Sequence, residues 1–272
     1  MPGSLGLEAR AAARSPWVER LGRAGLAAKG ISYGLVAALA IGVAAGEGGK
    51  TTDRQGALRT LAGHGWGKVV LVALAVGFGG YALWRIVDAL LDRGAEGDDA
   101  SGLVKRAGYL ARACIYGALC ATTIEILAGS GSGGGSNEKR TTQGVLGWPG
   151  GRWLVLAVGL AVAAAALWNG YRGLTRTFED RLQTGRMAEP TRKAAVALGV
   201  AGHLARGVVF GIVAWFLIKA AVEFQGKDAV GLDGALAKLA DRAYGSVLLG
   251  LVAGGLLAYG AYCLVEARYR KV

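Results

Sequence analysis

The 272-residue sequence contains only two His, three Cys, four Pro and two Met, and Asp, Glu, Lys and Arg together make up 18% of it. Neither His64 nor His203 has a cysteine or carboxylate beside it at ligand spacing, so neither metal nor haem is expected. Cys114, Cys120 and Cys263 all fall inside apolar runs, which excludes a disulfide framework in outer loops and makes them small packing residues. So little proline, without a strict glycine triplet, excludes a collagen. Scarce charge excludes a disordered chain, which needs low hydrophobicity. No Ser/His/Asp or Cys/His set and no nucleotide motif occurs on one face or span, so neither an enzyme nor a cofactor is expected.

What the chain does have is 53% hydrophobic residues, 47 glycines and a net charge of +12. A soluble domain this apolar would expose too much hydrocarbon to water, which leaves an all-α integral membrane protein. The charges are clustered. Residues 30–46, 69–84, 153–171 and 243–265 carry none, while 113–137 and 207–222 are each interrupted once, by Glu125 and Lys219. A hydrocarbon core of about 30 Å takes about 20 helical residues. Six spans therefore fit, near 25–45, 67–90, 107–128, 152–174, 197–220 and 244–266, with Lys29, Lys68 and Arg85 snorkelling at their ends. Continuous apolar runs without polar alternation exclude a membrane β-barrel.

Residues 1–22 read as a basic tail rather than a signal peptide, since they lack an apolar stretch of their own. Of the 31 Lys and Arg, 20 fall on the side holding both termini and 11 on the other. The positive-inside rule makes both termini cytoplasmic. Inner-facing basic loops without interleaved aromatics point to acidic lipid, not to nucleic acid.

Internal repetition is strong. The pattern A-G-x-x-A-[KR]-[GA]-x-x-[YF]-G begins at Ala24, Ala107 and Ala201. A second piece follows in each loop, from Gln55 to Ala62, from Gln143 to Leu146 and from Asp233 to Ala240. A third closes each unit, as Ala82-Leu-Trp84, Ala166-Leu-Trp168 and Gly260-Ala-Tyr262. The boundaries are 23–93, 105–178 and 199–268. Two spans per repeat give all three the same orientation, which predicts a pseudo-threefold axis along the membrane normal. The loop piece predicts a short outer helix over 53–62 and 233–241. In the second repeat that helix is expected to be truncated, with 129–136 a glycine-serine linker rather than a phosphate-binding loop.

With these three units, the chain resembles a bacterial membrane family, domain of unknown function 1206, over roughly residues 20–268. The resemblance implies three two-span repeats and implies no activity.

Four groups of residues are candidates for more than packing. Small residues four apart, Gly30/Gly34, Ala113/Gly117 and Gly207/Gly211, allow close helix approach within the chain, the alternative being a homo-oligomer interface. Near the inner surface, Lys29 with Asp88 and Arg206 with Glu266 are matched charges of the first and third repeats. The second repeat has Arg112 and Arg172, a candidate site for an anionic lipid or an acidic partner, the alternative being snorkelling to phosphate. Glu125 and Lys219 each lie 13 residues beyond the inner arginine of their repeat, about 20 Å along the helix. Three readings stay open for them: a Glu125–Lys219 bridge, a site for a small solute or ion, or a bond from Lys219 to Glu223 one turn on. Trp66, Trp148, Trp153 and Tyr244 at the outer ends, with Trp84, Trp168 and Tyr262 at the inner ends, read as interfacial belts. The functional expectation is a structural or partner-binding subunit in the lipid bilayer; the alternative is a channel or carrier using Glu125 and Lys219.

Overall fold

A computed structural model describes residues 16–45, 54–90, 100–129, 137–223, 235–237 and 244–270. Most of the basic tail, most of the glycine-serine linker and most of the third loop helix therefore lie outside the described residues. The described part is mostly helical, without a β-strand. Long helices are α1 (Pro16–Ala44), α3 (Gly67–Leu90), α4 (Ala100–Leu127), α6 (Gly151–Thr175), α7 (Glu189–Val222) and α8 (Gly245–Tyr269), and short helices are α2 (Arg54–Ala62) and α5 (Asn137–Leu146). Six are long and apolar enough to cross a membrane.

The reason is visible on α3. Leu71, Leu74, Phe78 and Tyr81 are buried, whereas Val69, Val72, Val76, Leu83, Ile86 and Leu90 form an equally apolar face that is exposed. A soluble helix is polar on its outward face; only lipid accepts one that is apolar on both sides. Helix α7 starts well before the expected 197 because Pro190 sets its first turn and Glu189 stands at its positive end. Its 34 residues span about 51 Å, more than the hydrocarbon core of about 30 Å, so its first turns stand outside that core.

One expectation is corrected in the second loop. That loop helix is not truncated: α5 has 10 residues against nine in α2. The sequence match had placed Gln143–Leu146 against the start of α2, but these residues end α5. The turn that follows sets the register. His64 N–H donates to the Leu61 carbonyl and Gly67 N–H to His64, and Trp148 and Gly151 repeat both bonds to Val145 and Trp148. A Cβ at Gly67 or Gly151 would collide with the carbonyl of Leu61 or Val145, so both positions require glycine.

The chain divides into two compact bodies, one of Met1–Lys29, Leu61–Gly131 and Glu266–Val272, the other of Gly30–Thr60 and Ser132–Val265. Within the first, α1 packs on α3 through glycine. A Cβ at Gly25 would strike Tyr81, and one at Gly77 would strike Ala28. The second body has the same pair of contacts two repeats later, Gly202 on Tyr259 and Gly255 on Ala205, between α7 and α8.

Helices of successive repeats also meet. In the first body α3 packs on α4, where the Tyr81 and Tyr116 rings lie 4.5 Å apart and the Cys120 thiol donates to the Ala75 carbonyl. In the second α6 packs on α7, and α8 on the Gly30–Ala44 half of α1, with Tyr33 edge-on to Tyr259 at 4.9 Å. The small residues of the repeat motif lie at these seams. A Cβ at Gly30 would sit 2.7 Å from the Gly260 carbonyl, and one at Gly207 would sit 3.3 Å from the Ala166 carbonyl. Their counterparts Ala113 and Ala82 are both buried. Gly34 is looser, 4.0 Å from Leu257, and nothing lies within 4 Å of a Cβ at Gly117 or Gly211. Close approach thus uses the first small residue of each pair.

Gly260→Val, which pushes a branched side chain toward the Gly30 carbonyl, is expected to cost about 1–3 kcal/mol. Gly211→Ala should be neutral or stabilising by up to about 1 kcal/mol. Unfolding of the purified protein in a mixed-detergent titration measures both.

Candidate functional site

Each body holds a guanidinium among aromatic rings. In the first, Arg85 is 4% exposed. Its Nη1 donates to Asp88 Oδ2 at 2.9 Å and its Nη2 to the Tyr81 hydroxyl at 3.0 Å. The guanidinium carbon lies 4.2 Å from the Trp84 ring centroid and 5.3 Å from that of Tyr109. Arg270 approaches the same Trp84 ring at 4.6 Å and donates to Glu266 at 2.5 Å. Helical spacing builds the site, since Tyr81, Arg85 and Asp88 follow one another by a turn on α3 and Glu266 precedes Arg270 by a turn.

In the second body the guanidinium belongs to Arg206 on α7. It donates to the Tyr259 hydroxyl at 2.7 Å and lies 4.3 Å from that ring, 4.9 Å from Phe210 and 5.5 Å from Tyr33. Below it His203 is buried, stacked on Phe178 at 5.0 Å, with Nδ1 2.7 Å from the Gly199 carbonyl. A carbonyl only accepts, so Nδ1 carries the proton in this arrangement. Tyr81 and Tyr259 occupy the same repeat position, yet one meets an arginine of its own helix and the other an arginine of a neighbouring helix. The second repeat has Ala165 at that position, and Asn169 donates back to its carbonyl at 2.7 Å.

These networks correct one charge reading. Arg85 was expected to snorkel and is instead enclosed. Asp88 is held by Arg85, Glu266 by Arg270, and Arg206 by Tyr259. Trp84 and Tyr262 were placed in an inner belt, but both are buried, and only Trp168 at their level is exposed. Trp66, Trp148, Trp153 and Tyr244 are exposed. The sequence signal that went unread was the aromatic in the [YF]-G step of the motif, together with the tyrosine just before the Ala-Leu-Trp piece; these rings receive the guanidinium groups.

The other candidates are placed one body at a time. Glu125, in the first, is exposed on α4. Lys219, in the second, has its ammonium 3.7 Å from Glu223 Oε2, with side chains 39% and 43% exposed. The two flank a cleft of about 250 Å³ with Trp215, Ile218 and Val222. Arg112, in the first body, is exposed, 5.9 Å from the Tyr109 ring. Arg172, in the second, is half-buried in the last turn of α6. No group of three His, Cys, Asp or Glu suited to a metal occurs among the described residues.

The profile of the family described as Domain of Unknown Function (DUF1206) matches the chain three times, over 24–92, 107–176 and 201–270. The chain belongs to the DUF1206 family. It is 32% identical to the uncharacterized protein YxxB of Bacillus subtilis strain 168 over 257 residues, covering 94% of this chain and 93% of the relative. No solved structure matches it. In this DUF1206 chain the three matches coincide with the α1/α3, α4/α6 and α7/α8 pairs, so one family unit is one helix pair with the loop between its helices.

Arg85→Leu leaves Asp88 buried without its guanidinium and is expected to destabilise the protein by about 3–5 kcal/mol. Arg85→Leu with Asp88→Leu should recover part of that loss. Glu223→Gln, at a half-exposed pair, should change stability by less than about 1 kcal/mol. Thermal unfolding in detergent ranks the three.

Proposed function

We propose that the protein is a non-enzymatic structural or partner-binding subunit of a bacterial inner membrane, with both termini in the cytoplasm. The observation that carries this reading is how the polar groups of the long helices are used. Arg85, Asp88 and Tyr81 engage one another, as do Arg206 and Tyr259, and Glu266 and Arg270. Thr123 and Asn169 donate to carbonyls of their own helices. Polar groups engaged with one another in this way stiffen a helix bundle, whereas a solute path needs them turned to water. A partner helix or a second copy has small-residue faces available at Gly117 and Gly211, where backbone can approach backbone.

Photo-crosslinking from positions 117 and 211 in living cells, followed by mass spectrometry, is expected to recover a second membrane protein or a second copy. Recovery of contacts within the chain alone counts against the reading. For orientation, a membrane-impermeant maleimide applied to whole cells should label a cysteine at position 148 and spare one at position 186, in a background free of native cysteine.

The cleft beside Lys219 favours one alternative, a small-solute or ion carrier using Lys219 and Glu125. Under that alternative Glu125→Gln and Lys219→Met change flux in reconstituted liposomes. The subunit reading expects the flux to be unchanged.

A further inference from the structure

At the end of the second body where α6 gives way to α7 lies a cleft of about 820 Å³. Its mouth carries Arg176, Arg192 and Lys193 against Glu179 and Glu189. Lys193 and Glu189 neutralise each other at 2.7 Å, which leaves two guanidinium groups facing one carboxylate. Beyond the mouth the wall turns apolar, through Val196, Val200 and Leu204. Residues 192, 196, 200 and 204 recur every four positions and so run down one face of α7. From Arg192 to Leu204 is about 18 Å, close to the depth of one hydrocarbon leaflet, about 15 Å. The face thus changes from cationic to apolar along the direction and over the length in which a phospholipid changes from phosphate to acyl chain. Arg176 adds a second indication. It ends α6 in the left-handed conformation, φ 58°, a position that suits glycine, and this chain of 47 glycines has a cation there.

We propose that this cleft binds an anionic glycerophospholipid, with the phosphate between Arg176 and Arg192 and one acyl chain along Val196, Val200 and Leu204. The site is distinct from Arg112 and Arg172 and stands independently of the partner role. A zwitterionic lipid presents its own cation beside the phosphate and meets Arg176 and Arg192 less favourably; a soluble phosphate ester leaves the apolar wall uncovered.

The test is native mass spectrometry of the full chain in detergent, titrated with phosphatidylglycerol, with phosphatidylcholine of the same acyl chains, and with glycerol 3-phosphate. Phosphatidylglycerol should stay bound in preference to phosphatidylcholine, and glycerol 3-phosphate should not displace it. Arg176→Gln with Arg192→Gln should weaken phosphatidylglycerol about fivefold for each arginine removed. Arg176→Lys with Arg192→Lys should retain most of the binding, and Ala197→Trp, which fills the apolar wall while leaving both cations in place, should lower it. Equal binding of the two lipids overturns the proposal, as does phosphatidylglycerol binding unchanged in both the double glutamine variant and Ala197→Trp. Displacement by glycerol 3-phosphate at matched concentration replaces it with a site for soluble phosphate esters. Should the double glutamine variant lose its helical circular dichroism, Ala197→Trp and the lysine variant decide alone.

Discussion

The close approach of helix backbones at single glycines is the interaction on which the rest of the structure depends. In hydrocarbon there is no hydrophobic gain from joining two apolar helices, so association relies on dispersion at short range and on the polar contacts that short range permits. At Gly30 against Gly260, Gly207 against Ala166, Gly25 against Tyr81 and Gly202 against Tyr259 there is no room for a further methyl group. Once the backbones are that close, the aromatic residues a turn away are brought together as well. The Tyr33–Tyr259 and Tyr81–Tyr116 ring pairs follow from that proximity.

The arginines set among these rings follow in turn. A guanidinium within a span is costly unless its donors are used, and an aromatic box with a hydroxyl engages part of them without bringing in water, although Arg85 Nε stays buried without a hydrogen-bond partner. Arg206 uses Tyr259 in this way, and Arg85 uses Tyr81 and adds Asp88. The repeats have diverged in how they reach this arrangement. One tyrosine position is served from its own helix and the equivalent one from a neighbour, and the second repeat replaces the tyrosine with Ala165, to whose carbonyl Asn169 donates. Among the described residues these polar groups engage one another, and the exposed cations of the α6–α7 turn stand apart from them.

Much of the fold was legible in the residues. Uncharged runs located the six long helices because a bilayer imposes length and apolarity together, and fixed offsets from Ala24, Ala107 and Ala201 revealed the repeat. Other features were hidden for physical reasons. The second loop helix was missed because its apolar pattern is weak: Asn137–Leu146 is mostly polar, and its place is set by the turn at Gly151. Arg85 was misread because an arginine near a span end snorkels by default, and nothing local announces that Tyr81, Trp84 and Tyr109 will enclose it. Trp84 and Tyr262 read as belt residues for the same reason, since a ring at a helix end is ambiguous until its neighbours are known.

Class, span number and repeat length were determined by the sequence alone, because lipid constrains each helix separately and needs no knowledge of its partners. Tertiary structure alone decided which rings are covered and which guanidinium groups they enclose, because each of these depends on groups of different helices meeting. Arg206 with Tyr259, 53 residues away, is a bond no local pattern contains. The Lys219–Glu223 pair, one turn apart, was open among other readings until the structure placed it, because helical spacing permits a pair without requiring it.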